Sequence, residues 1–324
     1  MDSIKMDFSA SLMHCSTIAY FMSRGKEKTP KQLWEEACEK LAEWQAKWDK
    51  MDDRLRGMAN GKKAAQRIVE CQAKVDELAV NKDDEPLSQT AKSYLKKYYA
   101  YLKYGKWSAS LDKGNKYVNK GKLGEPDSIQ LVSFLDNRPY VKNADRWEDE
   151  YLTGEPDIAY MIDDEIYIID VKTSWDIETF MDVLGKDLSP LYWWQIQGYF
   201  ALTGATFGEV SYCLVDTPES ILLKEKYYLS ERLNSAIDRY VDQEYLAAER
   251  ELVNNMTFSD IPHAERRIKF TVTRDNEAIE KIYKRVAKCR EYLAEIQELH
   301  AIGTFAAKSE ENEVAEEELE PATL

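Results

Sequence analysis

Histidine is the scarcest functional residue in this 324-residue chain: there are three, His14, His263 and His300, scattered along its length. No HxxxH exists, so any metal must be held by oxygen ligands. The five cysteines (Cys15, Cys38, Cys71, Cys213 and Cys289) are odd in number and far apart, and no CxxC occurs. That excludes a disulfide framework and a zinc or iron–sulfur set, and leaves the cysteines as small core residues. No stretch approaches eighteen consecutive apolar residues, and the N-terminus lacks a basic start, a long apolar run and a cleavage site. A cytoplasmic protein without a membrane partner is expected. With 13 Gly and 9 Pro, collagen-like and mucin-like readings also fall away.

What remains is an ordinary globular composition, 44% hydrophobic and 32% charged, long enough for a full core and for two domains, or for one with insertions. The balance of 44 Lys and Arg against 59 Asp and Glu gives a net charge of −15. On its face this argues against a partner as anionic as nucleic acid. However, residues 304–324 hold seven Glu and one Lys, an acidic tail read as disordered. Elsewhere Lys96, Lys97 and Lys103 lie on a Tyr-rich helical stretch and offer a locally basic surface.

Four regions separate by pattern. Residues 1–30 hold the short segment Phe8 to Ser11 and an apolar run to Met22. From Trp34 the apolar positions Ala37, Leu41, Trp44, Trp48, Met51, Leu55 and Met58 follow at spacings of three and four. This is a heptad seam, and the pattern resumes at Ala64, Ile68, Cys71, Val75 and Leu78 after a turn placed at Asn60-Gly61. An antiparallel helical hairpin over 31–82 follows, with the Trp stripe as its core. Region 87–303 opens with two helices, 87–105 capped by Ser88 and 116–135, in which Gly121 and Gly124 permit close backbone approach. The period then changes to two over 144–154, 155–162 and 165–173, with Asp163-Asp164 as a tight turn. A helix over 187–204, a strand over 208–218, a helix over 231–255, a strand within 261–273 and an amphipathic helix over 274–300 complete an α/β core built on a mixed sheet.

The chemistry concentrates at Asp157, which opens one strand of the hairpin, and Asp170-Val171-Lys172, which closes the next. Antiparallel pairing across Asp163-Asp164 brings both carboxylates to one end of the sheet. Asp170 and Lys172 share a face, while Val171 points into the core and leaves its backbone carbonyl available. Two carboxylates and a carbonyl form a hard-oxygen site suited to Mg²⁺ or Mn²⁺. The lysine can position a water and stabilise charge developing on a phosphate oxygen. A second Pro-Asp, Pro126-Asp127, has no acidic-x-Lys within twenty residues and acts as an internal control.

Pro156-Asp157, twelve further residues and then Asp170-Val171-Lys172 resemble the PD-(D/E)XK nuclease superfamily. Gln195 and Tyr199, at i and i+4, resemble the QxxxY motif of its RecB-type and lambda-exonuclease-like members. The segment 120–131 resembles the helix of the phage exonuclease (YqaJ-like) branch whose glutamate completes the metal site, which makes Glu125 the match. The resemblance implies a restriction-endonuclease-like fold with the hairpin as an insertion, residues 1–30 serving as an N-terminal segment of the nuclease core. It implies metal ligation by Glu125, Asp157, Asp170 and the Val171 carbonyl, with Lys172 assisting the attacking water. Gln195 and Tyr199 would organise the site, and Ser9 and Ser11 would hydrogen-bond a phosphate.

The implied activity is a Mg²⁺-dependent exonuclease that degrades linear double-stranded DNA by a two-metal mechanism during phage recombination. Double-stranded ends are its substrate, a single-strand annealing protein its partner, and a ring-shaped homo-oligomer its assembly. An endonuclease of restriction or repair type on the same fold, or a non-catalytic DNA-binding or partner-docking module, are the alternatives. His263, without a second histidine or nucleophile beside it, is read as structural.

Overall fold

The period-two stretch upstream of Asp170 divides between two sheets rather than joining one. The structure, a computed structural model, describes residues 6–23, 25, 28–106, 115–234 and 241–303; the acidic tail lies outside the described residues. A small sheet pairs β1 (Met13–His14) in parallel with β3 (Leu152–Gly154), which also pairs antiparallel with β2 (Trp147–Glu148). The expected strand over 144–154 therefore belongs here, drawn off by the N-terminal segment. The central sheet has the order β4 (Ile158–Ile162), β5 (Glu165–Thr173), β6 (Phe207–Cys213), β7 (Arg267–Thr273). Its pairings run antiparallel, parallel and antiparallel, so it is mixed, as expected.

The β4–β5 hairpin has the expected two-residue turn. Asp163 and Asp164 have φ of 47° and 67°, the left-handed pair of a type I′ turn, and aspartate tolerates that region better than most residues. The turn fixes the register Ile162↔Glu165 through Ile158↔Ile169. Strand β5 is apolar on both faces because both are covered. Ile168 packs with Ile196, Phe200 and Val210, in the layer that holds α1 (Ile18–Met22), α5 (Gln89–Tyr104), α8 (Pro190–Thr203) and α11 (Asn276–Ile302). Ile169 and Val171 turn the other way, onto Ile129 and Val132 of α6 (Lys116–Leu135).

Helix α6 spans the residues expected, and Ser88 caps α5 by accepting from the Ala91 amide at 3.1 Å. The helical hairpin is present, but its turn is not at Asn60-Gly61. Helix α2 (Pro30–Asp49) ends before Met51, a short α3 (Asp53–Gly57) turns the corner, and α4 (Ala59–Ala79) runs back against α2. The break comes from capping: Asp52 accepts from the Leu55 amide at 2.8 Å and starts a new helix. Gly61 lies inside α4, where the backbone of Arg56 crosses so closely that a Cβ would collide with it. Leu55 and Met58, the last heptad positions, are 47% and 46% exposed and lie outside the seam.

Two further expectations change. The helix expected over 231–255 is α10 (Gln243–Met256), started by Asp242, and a separate α9 (Glu219–Arg232) precedes it; residues 235–240 lie outside the described residues. Helix α7 (Ile177–Met181) follows β5 and was not foreseen. Among the described residues no helix is long and apolar enough to cross a membrane.

Candidate active site

Strand β4 stops at Ile158, opposite Ile169, so Asp157 lies just past the end of the ladder beside Asp170 and Val171. There the Asp157 carboxylate takes over the strand's role: its Oδ2 accepts from the Val171 amide at 2.8 Å. Within one strand residue the N–H and C=O point to the same side, so the Val171 carbonyl faces the same open edge. Asp170 is 1% exposed, and its Oδ2 lies 2.5 Å from Lys172 Nζ. Lys172 also sits over the Tyr192 ring, 4.7 Å from its centroid. Burial works to push this ammonium down, but Asp170 and Asp157 outweigh it and hold the lysine above its usual range, fully charged. Asp157 moves the other way for a carboxylate. Burial first, then the charges of Asp170 and Glu125, push it up to about 8 against the pull of Lys172.

Glu125 reaches this end of the sheet from the middle of α6. Three contacts set the helix on the end of β5. Gly124 lies so close that an added Cβ would sit 3.0 Å from Thr173 Cγ2. Ser128 and Thr173 hydroxyls are 2.8 Å apart. Lys120, fully buried, donates to the Trp175 carbonyl at 2.7 Å. Gly121, by contrast, has nothing within 4 Å and needs no such allowance. Glu125 Oε1 lies 2.5 Å from Lys142 Nζ. Yet Glu125 Oε1 and Asp170 Oδ2 are buried and accept no aligned hydrogen bond: their lysine neighbours supply charge without hydrogen-bond geometry.

Among the described residues no three acidic, histidine or cysteine side chains gather tightly enough to form a finished metal cluster. The donor set nevertheless fits a hard divalent cation: the available donors are oxygens, two of them orphaned, and the charge of the third carboxylate is disfavoured by burial and by its acidic neighbours.

Helix α8 supplies the support behind Asp170. Gln195 Nε2 donates to Asp170 Oδ1 at 3.2 Å and to the Tyr199 hydroxyl at 2.8 Å. That hydroxyl in turn donates to the Glu155 carbonyl at 3.4 Å. Gln195 and Tyr199 thus form the i, i+4 pair expected, aimed at Asp170. Gln197 lies on another face, as expected, where it donates to the Thr273 carbonyl and accepts from the Asp275 amide.

Ser9 and Ser11 do not line the cleft beside Asp157: Ser9 bonds Asp7, and the Ser11 carbonyl accepts from Arg290 on α11. His263 packs against the Phe134 ring, with centroids 4.5 Å apart.

Sequence reasoning missed the rest of the cleft, about 200 Å³ in volume, where His14, Ser16, Lys142 and Arg146 face Asp157 and Tyr199. Arg146 is held by Glu155 at 2.9 Å. The available signal was two cations, Lys142 and Arg146, placed just upstream of Pro156-Asp157 in an acidic chain.

No protein-family model and no curated protein matches the sequence. Among solved structures, a phage-related exonuclease from Haemophilus somnus 129PT aligns with a TM-score of 0.58 at 22% identity, over 90% of this chain and 97% of that one. The chain has the fold of that exonuclease. An alkaline exonuclease from Laribacter hongkongensis aligns at a TM-score of 0.45 and 15% identity, over 68% of this chain and 88% of that one. The nuclease fold implied by the resemblance at Asp157, Asp170 and Lys172 is therefore borne out at the level of architecture.

Proposed function

We propose that the chain is a divalent-cation-dependent deoxyribonuclease, an exonuclease that degrades linear double-stranded DNA from its ends. The observation that carries this reading is the convergence of Asp157, Asp170 and Lys172 at one sheet edge, with Glu125 delivered by α6. The phage-exonuclease fold supports it. Glu125, Asp157, Asp170 and the Val171 carbonyl are the residues that would hold Mg²⁺ or Mn²⁺. A cation bound there supplies Lewis-acid polarisation of the scissile phosphate.

The chain's own residues do the rest. Lys172, held as an ammonium, stabilises charge on a phosphate oxygen and orients the attacking water; a charged lysine cannot act as the base. Gln195, fixed by Tyr199, holds Asp170 in one orientation. Lys142 and Arg146 give the cleft beside Asp157 the positive lining that a DNA phosphate needs.

The test is cleavage of end-labelled linear duplex in Mg²⁺ by the wild-type chain and by Asp170→Ala and Lys172→Ala. Loss of at least a hundredfold in rate is expected for each, in line with the removal of a charge-stabilising group. Undiminished cleavage by both variants overturns the assignment. A closed circular plasmid left intact separates the exonuclease from an endonuclease on the same fold.

A further inference from the structure

The turn of the helical hairpin carries a charge opposite to that of the chain. Residues 47–67 hold seven Lys or Arg against three Asp, whereas the whole chain has a net charge of −15. Three of the seven are engaged: Arg67 with Glu70 at 2.7 Å, Arg56 with Asp53 at 3.6 Å and the Trp48 ring, and Lys47 with the Trp44 ring, 4.6 Å from its centroid. Lys50, Arg54, Lys62 and Lys63 are exposed, and among the described residues none of them forms an ion pair. Four unpaired cations crowded around one corner repel each other, and nothing in the packing of the hairpin requires them, because its seam is apolar. Two of them break a local rule. Lys62 and Lys63 stand in the opening turns of α4, at the positive end of the helix, where acidic residues are favoured and where Met58 offers no side-chain cap.

Reach is the second consideration. Helix α2 has 20 residues, so the corner stands about 30 Å along the hairpin from Pro30. The helices of the hairpin pack mainly on each other. About 30 Å corresponds to about nine base pairs of duplex. A second copy of this acidic chain is a weaker match than duplex DNA, whose phosphates present one negative charge per ~1.7 Å in an unbroken line.

We propose that the hairpin corner is a second DNA contact, a clamp on the phosphate backbone of duplex about one helical turn from the part gripped by the core. This rests on the reading of the chain as a DNA nuclease. The corner binds without reading sequence, and it raises affinity only for duplexes long enough to reach it.

The experiment uses the full chain with Asp170→Asn, to prevent cleavage, and compares it with the same chain carrying Lys50→Gln, Arg54→Gln, Lys62→Gln and Lys63→Gln. Circular dichroism checks that the hairpin stays helical. Fluorescence anisotropy then measures affinity for 10-base-pair and 40-base-pair duplexes from 50 to 300 mM salt. For the 40-base-pair duplex the quadruple variant is expected to bind at least tenfold more weakly at 100 mM. Its log–log salt slope should be shallower by about 3.6, since each of the four lost phosphate contacts removes about 0.9. The 10-base-pair affinity should move by less than twofold. Equal affinities for the long duplex overturn the clamp, while cleavage by the wild-type chain would leave the nuclease reading standing. A change confined to self-association in light scattering also overturns it, in favour of a protein partner. If the unsubstituted chain neither binds nor cleaves duplex DNA, both readings fall.

Discussion

Lys120 offers the sharpest test of how the helix carrying Glu125 is held. It is 0% exposed, sits against the Trp175 and Phe258 rings, and among the described residues has the Trp175 carbonyl as its hydrogen-bond acceptor. Burial pushes its ammonium down to about 8, with Asp176 and Asp216 only partly offsetting the loss of water. Below pH 8 the lysine is charged in both folded and unfolded chains, and the native state carries the full penalty. Between pH 8 and about 10.5 the native state sheds the proton while the unfolded chain keeps it, so stability rises with pH across that window. Above it the contribution is level. At about 1.4 kcal/mol per unit, the penalty at pH 7 is about 3 kcal/mol, of which about 2 kcal/mol is recovered by pH 9.5.

Lys120→Met removes the penalty but leaves the Trp175 carbonyl unpaired, at a cost of about 1–3 kcal/mol, so the two chains should be similarly stable at pH 7. Urea unfolding at pH 7 and 9.5 reads the difference. Wild type should gain about 2 kcal/mol relative to Lys120→Met over that range, other titrations cancelling in the comparison. An identical pH dependence for the two chains refutes the reasoning. Nuclease assays on the same pair should show a reduced rate in the variant, because one of the three contacts that set Glu125 over β5 is gone.

Three further outcomes follow from the same geometry. Tyr199→Phe removes the hydroxyl that accepts from Gln195, loosening Asp170; a rate loss of about tenfold, equal to about 1.4 kcal/mol, is expected, and a wild-type rate would show that Gln195 needs no such anchor. Asp157 is mostly protonated at pH 7 in the cation-free protein, since its carboxyl is pushed up to about 8. Binding of Mg²⁺ should therefore release about one proton, seen in calorimetry as a heat that varies with the ionisation enthalpy of the buffer. Gly198→Ala would drive a Cβ into Ile18 and Cys15 and should lower stability by about 1–3 kcal/mol in urea unfolding; an unchanged midpoint would contradict the close packing of α8 on the N-terminal segment.

The parts of the site that were legible in the sequence are those fixed by short-range rules. A two-residue turn and a period of two determine which residue of β5 lies opposite Asp157, and 3.6 residues per turn puts Gln195 and Tyr199 on one face. His14 escaped because it meets Asp157 only after β1 pairs with β3, a contact between segments far apart in the chain, while Lys142 and Arg146 arrive on an irregular segment held by the Asn143 amide donating to the Asp157 carbonyl. Lys120 escaped for another reason: a lysine in a helix reads as surface, and only the approach of α6 to β5 buries it. The hairpin turn lies elsewhere than expected because Leu55 and Met58 keep the heptad spacing without packing in the seam, and the chain is broken instead by the Asp52 cap.

Net charge was the feature that spoke most strongly against DNA, and distance limits what it means. At physiological ionic strength a field decays over about 8 Å, so acidic groups on the core are screened from a hairpin corner standing about 30 Å along α2. A phosphate there meets the local surplus of Lys and Arg rather than the total of −15. The seven Glu of residues 304–324 are a different matter, because their charge lowers the affinity of the chain for any polyanion. Ending the chain at Gly303 changes the net charge from −15 to −9. The shortened protein, with Asp170→Asn to prevent cleavage, should bind a 40-base-pair duplex more tightly than the full chain at 50 mM salt. The advantage should shrink steadily and vanish by 0.5 M, where the screening length is about 4 Å. A gain that persists at 0.5 M would mean that the tail blocks the DNA surface by contact rather than by charge, and no gain at any salt would refute the electrostatic account.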